Sequence, residues 1–134
     1  MLRTVKPSIA ITIGDPTGVG PEIIVKSIAS GQLDQHCSPL IIGRPAILRQ
    51  AAHTCSIPLE INEVESVDEW RLKSEEKHKL KTPSLWCLVT GKAEADDATK
   101  PKVDVRGGQL ALDCLVRATT LARSEERRVG KECA

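Results

Sequence analysis

The stretch Ile9–Ala10–Ile11–Thr12–Ile13–Gly14–Asp15–Pro16–Thr17–Gly18–Val19–Gly20–Pro21–Glu22 constrains this chain most. An apolar, β-branched run stops at a glycine, passes through a glycine-punctuated loop and reaches a helix start. Three glycines, two prolines and two carboxylates lie between Gly14 and Glu22. Core packing does not need that density. A backbone that turns sharply and lies close to another group does.

The pattern on either side defines a fold class. Ser8–Ile13 is expected to be a first strand covered on both faces, as in a parallel sheet. Pro21 suits a first helical turn, Glu22 favours the helix dipole, and Ile23, Ile24, Ser27 and Ile28 share a face. A helix over about residues 21–30 follows, with Gly31 as its stop. Pro39–Gly43 reads as a second buried strand. Pro45 restarts a helix whose Ile47, Leu48, Ala51, Ala52 and Cys55 share one face. Leu59–Val64 alternates and predicts a strand nearer an edge. Glu65–Thr82 mixes charges of both signs and predicts a solvated excursion with at most one short turn of helix. Leu85–Val89 is a fourth strand, and Thr90–Pro101 a polar loop. Gly107–Gly108 then leads into a third helix striped by Leu110, Ala111, Cys114, Leu115, Ala118, Leu121 and Ala122. Strand–helix alternation of this kind predicts a three-layer α/β fold with a largely parallel sheet.

Composition narrows the function classes. The chain has 134 residues and a net charge of +1, which gives no argument for a nucleic-acid or anionic-membrane partner. No run approaches the ~18 apolar residues of a membrane span, and Met1–Lys6 lacks the apolar core of a signal peptide. A cytoplasmic protein is expected. Cys37, Cys55, Cys87, Cys114 and Cys133 form no C-x-x-C pair and read as free thiols of a reduced compartment. Phe and Tyr are absent and Trp70 and Trp86 are the only aromatics, so Ile, Leu, Val and Ala must fill the core. This is unusual for a complete enzyme domain.

From Arg123 the pattern breaks. Arg123–Cys133 carries no apolar stripe and no capping residue, and it resembles translation of a sequencing-library adapter. Residues 123–134 are therefore expected to be a non-native tail, leaving 1–122 as the N-terminal part of a truncated α/β domain. Without the tail, four cations (Arg123, Arg127, Arg128, Lys131) and three anions (Glu125, Glu126, Glu132) leave, and the remainder is formally neutral.

The loop glycines are spaced G-x-x-x-G-x-G, neither the dinucleotide fingerprint nor a P-loop. The physics is related, because a helix N-terminus aims free N–H groups at the loop. An anion, or the polar part of a nucleotide, could sit there. Beside a phosphate the Asp15 carboxylate is repulsive; it suits a ribose hydroxyl, an amide or a capping bond to its own loop. The glycines could also simply permit a tight strand–helix turn.

Ile11–Glu22 closely resembles the N-terminal signature of the 4-hydroxythreonine-4-phosphate dehydrogenase family of vitamin B6 biosynthesis, which includes D-threonate and D-erythronate 4-phosphate dehydrogenases. It is similar, more distantly, to the Gly-Asp-Gly-Ile-Gly-Pro-Glu loop of isocitrate and isopropylmalate dehydrogenases, which share that fold. Ile42–Gly43 before a helix, Leu59–Asn62 and Gly107–Gly108 before a helix agree in order. The resemblance covers roughly residues 7–122 and implies an isocitrate/isopropylmalate dehydrogenase-like fold.

It further implies an NAD-dependent dehydrogenase of a small phosphorylated hydroxy acid, assisted by a divalent metal (zinc, magnesium or cobalt) and working as a homodimer. It implies three metal-binding histidines in a later part of the chain. His36, His53 and His78 match no family motif, so neither metal ligands nor catalytic residues are assigned here. Gly14, Asp15, Pro16, Thr17 and Gly18 are the candidate cofactor-binding residues. Gly20, Pro21 and Glu22 set the helix start. The expectation is a dehydrogenase fragment that is inactive alone. The alternatives are a stand-alone anion- or nucleotide-binding module, or a non-functional truncated product whose third helix exposes Leu110, Leu115 and Leu121.

Overall fold

The computed structural model describes residues 6–77, 83–98 and 104–124, without the side chains of residues 76 and 77. Four strands form one wholly parallel sheet: β1 (Ser8–Thr12), β2 (Ser38–Gly43), β3 (Glu60–Val64) and β4 (Ser84–Val89), in the order β1-β2-β4-β3. Between and after them run α1 (Gly20–Ala29), α2 (Pro45–Thr54), α3 (Val67–Lys77) and α4 (Val105–Arg123). Short 3₁₀ turns lie at Leu33–Gln35 and Ala93–Asp97. The expected α/β architecture with a parallel sheet is present.

The central strands are the apolar ones. Leu40, Ile41 and Ile42 of β2 and Leu85, Cys87 and Leu88 of β4 are buried, because helices cover both faces of a parallel sheet. From α1 come Ile24, Val25 and Ile28, and from α2 come Ile47, Leu48, Ala51 and Ala52. Pro21 and Pro45 occupy the first turns of their helices, where a missing N–H removes no intrahelical bond. Gly31, just past α1, takes φ +77°. An aliphatic core with buried Trp70 and half-buried Trp86 is what the composition requires.

The connection from β3 back to β4 reverses direction across the sheet. A right-handed crossover then puts α3 on the face opposite α1 and α2. The last helix, α4, packs on β1 and β2.

Four expectations change. β1 is an edge strand whose first three residues are exposed, Ile9 among them at 44%; among the described residues nothing pairs with its outer side. The charged excursion contains α3, a helix of 11 residues. Two things hold it: Ser66 Oγ accepts from Glu69 N–H at 3.1 Å, and Glu69 Oε2 accepts from Glu65 N–H at 2.8 Å, a near relative of the capping box. Buried Trp70 adds to this, since emptying such a site costs about 3–5 kcal/mol. The polar loop after β4 folds around Ala95 and Ala98, both buried. Finally, α4 starts at Val105, so Gly107 and Gly108 lie inside it, and Leu110 is buried rather than exposed. Leu115 is 57% exposed, and Leu121 packs partly on the core. Of the predicted 123–134 tail, Arg123 is the last residue of α4 and Ser124 N–H donates to Leu121 O at 3.2 Å; residues 125–134, Cys133 among them, and His78 lie outside the described residues.

Candidate functional site

Ligands of open α/β sheets bind beyond the carboxyl ends of the strands, where neighbouring connections run in opposite directions. Here α2 carries the chain from β2 towards β3, whereas α4 returns from β4 over β2 and β1. The strand ends of β2 and β4 therefore form the switch point, with the loop after β1 beside them.

That loop is Gly14–Val19. Ile13 N–H donates to Ile42 O at 3.2 Å, extending the β1–β2 ladder to the loop's edge. Gly14 then takes φ +73°, a left-handed turn that a side chain resists. Asp15 Oδ1 accepts from the N–H of Thr17 at 2.9 Å and from its hydroxyl at 2.7 Å. Gly18 N–H donates to Asp15 O at 3.0 Å. The carboxylate thus closes its own loop, the capping option among those the sequence left open. Pro16 is buried, Thr17 half-buried, and Asp15 and Gly18 exposed. Gly20 returns against β1: a Cβ there would lie 2.5 Å from Ile13 O. The helix start has Val19 as its cap residue and no side-chain capping bond.

The structure brings the loop against the first turn of α4. A Cβ on Gly107 would lie 2.6 Å from Asp15 Oδ1 and 3.3 Å from Pro16 Cδ. Beside it runs a polar clasp that the sequence reading missed. Arg44, at the end of β2, grips Asp96 with two bonds, Nε to Oδ1 at 2.9 Å and Nη2 to Oδ2 at 3.2 Å. It also donates to Gly91 O at 3.4 Å. The bonds to Asp96 raise the Arg44 pKa further. Arg106 holds Asp104 through Nε and Nη2 and donates to Glu94 O at 3.3 Å; its guanidinium draws the Asp104 carboxyl down to about 2. One signal was available: a cation immediately before Pro45 sits at the positive end of α2's dipole, which calls for a carboxylate nearby.

Among the described residues no three His, Cys, Asp or Glu side chains converge on a common point, and His36 and His53 are exposed on separate elements. A divalent metal does not fit these residues. The α1 start carries no side-chain cap, which leaves its first N–H groups for a polar group, whereas Gly18 N–H is already held by Asp15 O. No described helix is long and apolar enough to cross a membrane.

The fold is that of the α/β dehydrogenases with an isocitrate dehydrogenase-like architecture. It superimposes on a 4-hydroxythreonine-4-phosphate dehydrogenase from Burkholderia phymatum with a TM-score of 0.79 and 29% identity, over 92% of this chain and 34% of that one. A D-threonate 4-phosphate dehydrogenase from Cupriavidus necator is 32% identical over 120 residues, 90% of this chain and 33% of that protein. A 4-hydroxythreonine-4-phosphate dehydrogenase from Trichlorobacter lovleyi is 44% identical over 68 residues, 51% of this chain and 20% of that protein. No family model matches the chain. In sequence and in fold, the chain is a homologue of the 4-hydroxythreonine-4-phosphate and D-threonate 4-phosphate dehydrogenases, an enzymatic family. It spans about a third of the length of the curated relatives it matches.

Proposed function

We propose that this chain is part of an NAD- and divalent-metal-dependent dehydrogenase. Its substrate would be 4-phosphohydroxy-L-threonine, on the route to pyridoxal phosphate, or a related four-carbon sugar-acid 4-phosphate. The observation that carries the reading is the match over nine-tenths of the chain, joined to a signature loop that sits at the carboxyl end of β1.

Gly14, Asp15, Pro16, Thr17 and Gly18 form one wall of the cofactor cleft. Asp15 and Thr17 hold the loop's shape, and Gly18 and the α1 start present backbone to the ligand. Bound nicotinamide would accept hydride from the substrate's secondary alcohol. The resemblance implies metal-binding histidines that His36, His53 and His78 do not match, and on that reading the 134-residue chain alone is inactive. The complete enzyme is a cytoplasmic homodimer. The 123–134 segment is not native, and re-reading the gene across the codon for Ala122 tests that.

Titrating NAD into isotope-labelled protein tests the site. Weak binding that shifts the amide signals of Asp15, Thr17 and Gly18 is expected. Folded protein whose loop amides stay fixed at millimolar NAD refutes the assignment. With NAD, magnesium and 4-phosphohydroxy-L-threonine, no reduced nicotinamide is expected; its appearance would show that the chain carries its own catalytic groups.

A further inference from the structure

The loop's conformation has a second determinant on a distant part of the chain. Asp15 Oδ1 lies across the first turn of α4, where Gly107 is buried inside the helix. Glycine is a poor helix-interior residue. Its neighbour Gly108 has nothing within 4 Å of its Cβ position, whereas a Cβ on Gly107 would stand 2.6 Å from the carboxylate. Such a side chain forces one of two movements. The carboxylate could swing away, breaking the bonds of 2.9 and 2.7 Å from Thr17. Otherwise α4 must lift off, which Leu110 and Cys114, both buried, oppose. Pro16 Cδ, at 3.3 Å from the same position, blocks a sideways slide. The first turn of α4 is also the positive end of that helix and so suits a carboxylate laid against it.

We propose that Gly107 is a positioning residue of the loop: by lacking a side chain it lets Asp15 lie on α4, and so fixes the backbone that Thr17 and Gly18 present to a ligand. The inference rests on the cofactor-wall reading of the loop for its functional meaning, but its test contains no ligand. The test compares Gly107→Ala, Gly108→Ala, Asp15→Ala and the double variant Gly107→Ala/Asp15→Ala in the 134-residue chain. Amide spectra and thermal midpoints are recorded for each.

Gly108→Ala is expected to raise the midpoint by about 3–6 °C and leave the Thr17 amide in place. Gly107→Ala should lower the midpoint and move the Thr17 and Gly18 amides. In the Asp15→Ala background the same alanine should be tolerated, with a midpoint no lower than that of Asp15→Ala alone. If Gly107→Ala does not fold, a folded double variant supports the proposal, and an unfolded one overturns it by placing the clash elsewhere. A Gly107→Ala protein as stable as Gly108→Ala, with Thr17 unmoved, also overturns it. Absence of NAD binding in the separate titration would remove the cofactor reading and leave this coupling intact.

Discussion

Replacing Gly20 by alanine probes the closure on which the loop depends. The new Cβ would stand 2.5 Å from Ile13 O. An acceptable carbon–oxygen contact needs about 3.3 Å, so β1 and α1 must separate by about 0.8 Å. Neither side yields easily. Ile13 is 1% exposed, its N–H is bonded to Ile42 O, and its side chain fills the space a Cβ on Gly43 would need. α1 is anchored by buried Pro21, Ile24, Val25 and Ile28. Overpacking of this kind costs about 1–3 kcal/mol, offset by roughly 0.5 kcal/mol from the stiffer unfolded chain. The net loss is about 0.5–2.5 kcal/mol, or roughly 2–9 °C of midpoint for a chain of this length. Gly18 is the control, because its Cβ would lie an ordinary 3.4 Å from Asp15 O; Gly18→Ala should stay within about 0.5 kcal/mol of the parent. Urea and thermal melts by circular dichroism measure both. Equal midpoints for the two variants would refute the reasoning.

Two further outcomes follow from perturbed acids and thiols. The Asp104 carboxyl is lowered from 3.8 to about 2 by Arg106, so its contribution is present above about pH 4 and is lost as pH falls towards 2. Asp104→Asn should flatten the midpoint-versus-pH curve in that window; parallel curves for the two proteins count against the pairing. Burial pushes the Cys87 thiol up to about 12 and Cys114 to about 11, and raises Cys37. In native protein at mildly alkaline pH, iodoacetamide should therefore label half-exposed Cys55 before these three. Peptide mass spectrometry reads the order, and Cys87 reacting as fast as Cys55 would mean the core opens there.

Local punctuation made most of the fold legible. Gly14 and Gly43 mark strand ends, Pro21 and Pro45 mark helix starts, and each signal acts within a few residues of its effect. α3 was missed because its apolar content is small: one buried tryptophan and the Ser66–Glu69 spacing hold it against a run of charges. The start of α4 was misplaced for a different reason. Two glycines announce a loop unless a distant group needs their emptiness, and Gly107 answers to Asp15 on another element. The Arg44–Asp96 pair spans 52 positions, a separation at which sequence carries no pairing information; only the awkward cation before Pro45 hinted at it. The loop itself was readable as a site, but the α4 turn beneath it was not.

The two borders of the sheet differ in kind. β3 carries Glu60 and Glu63 on its exposed positions, and Arg49 reaches across to bond Glu63 Oε2 at 2.6 Å. β1 presents Ser8, Ile9 and Ala10 with no charge at all. An incoming strand meets ionised side chains and their water at one border and plain backbone at the other. The charge on β3 disfavours pairing at that border, whereas among the described residues no side chain of β1 does so at the border beside the loop.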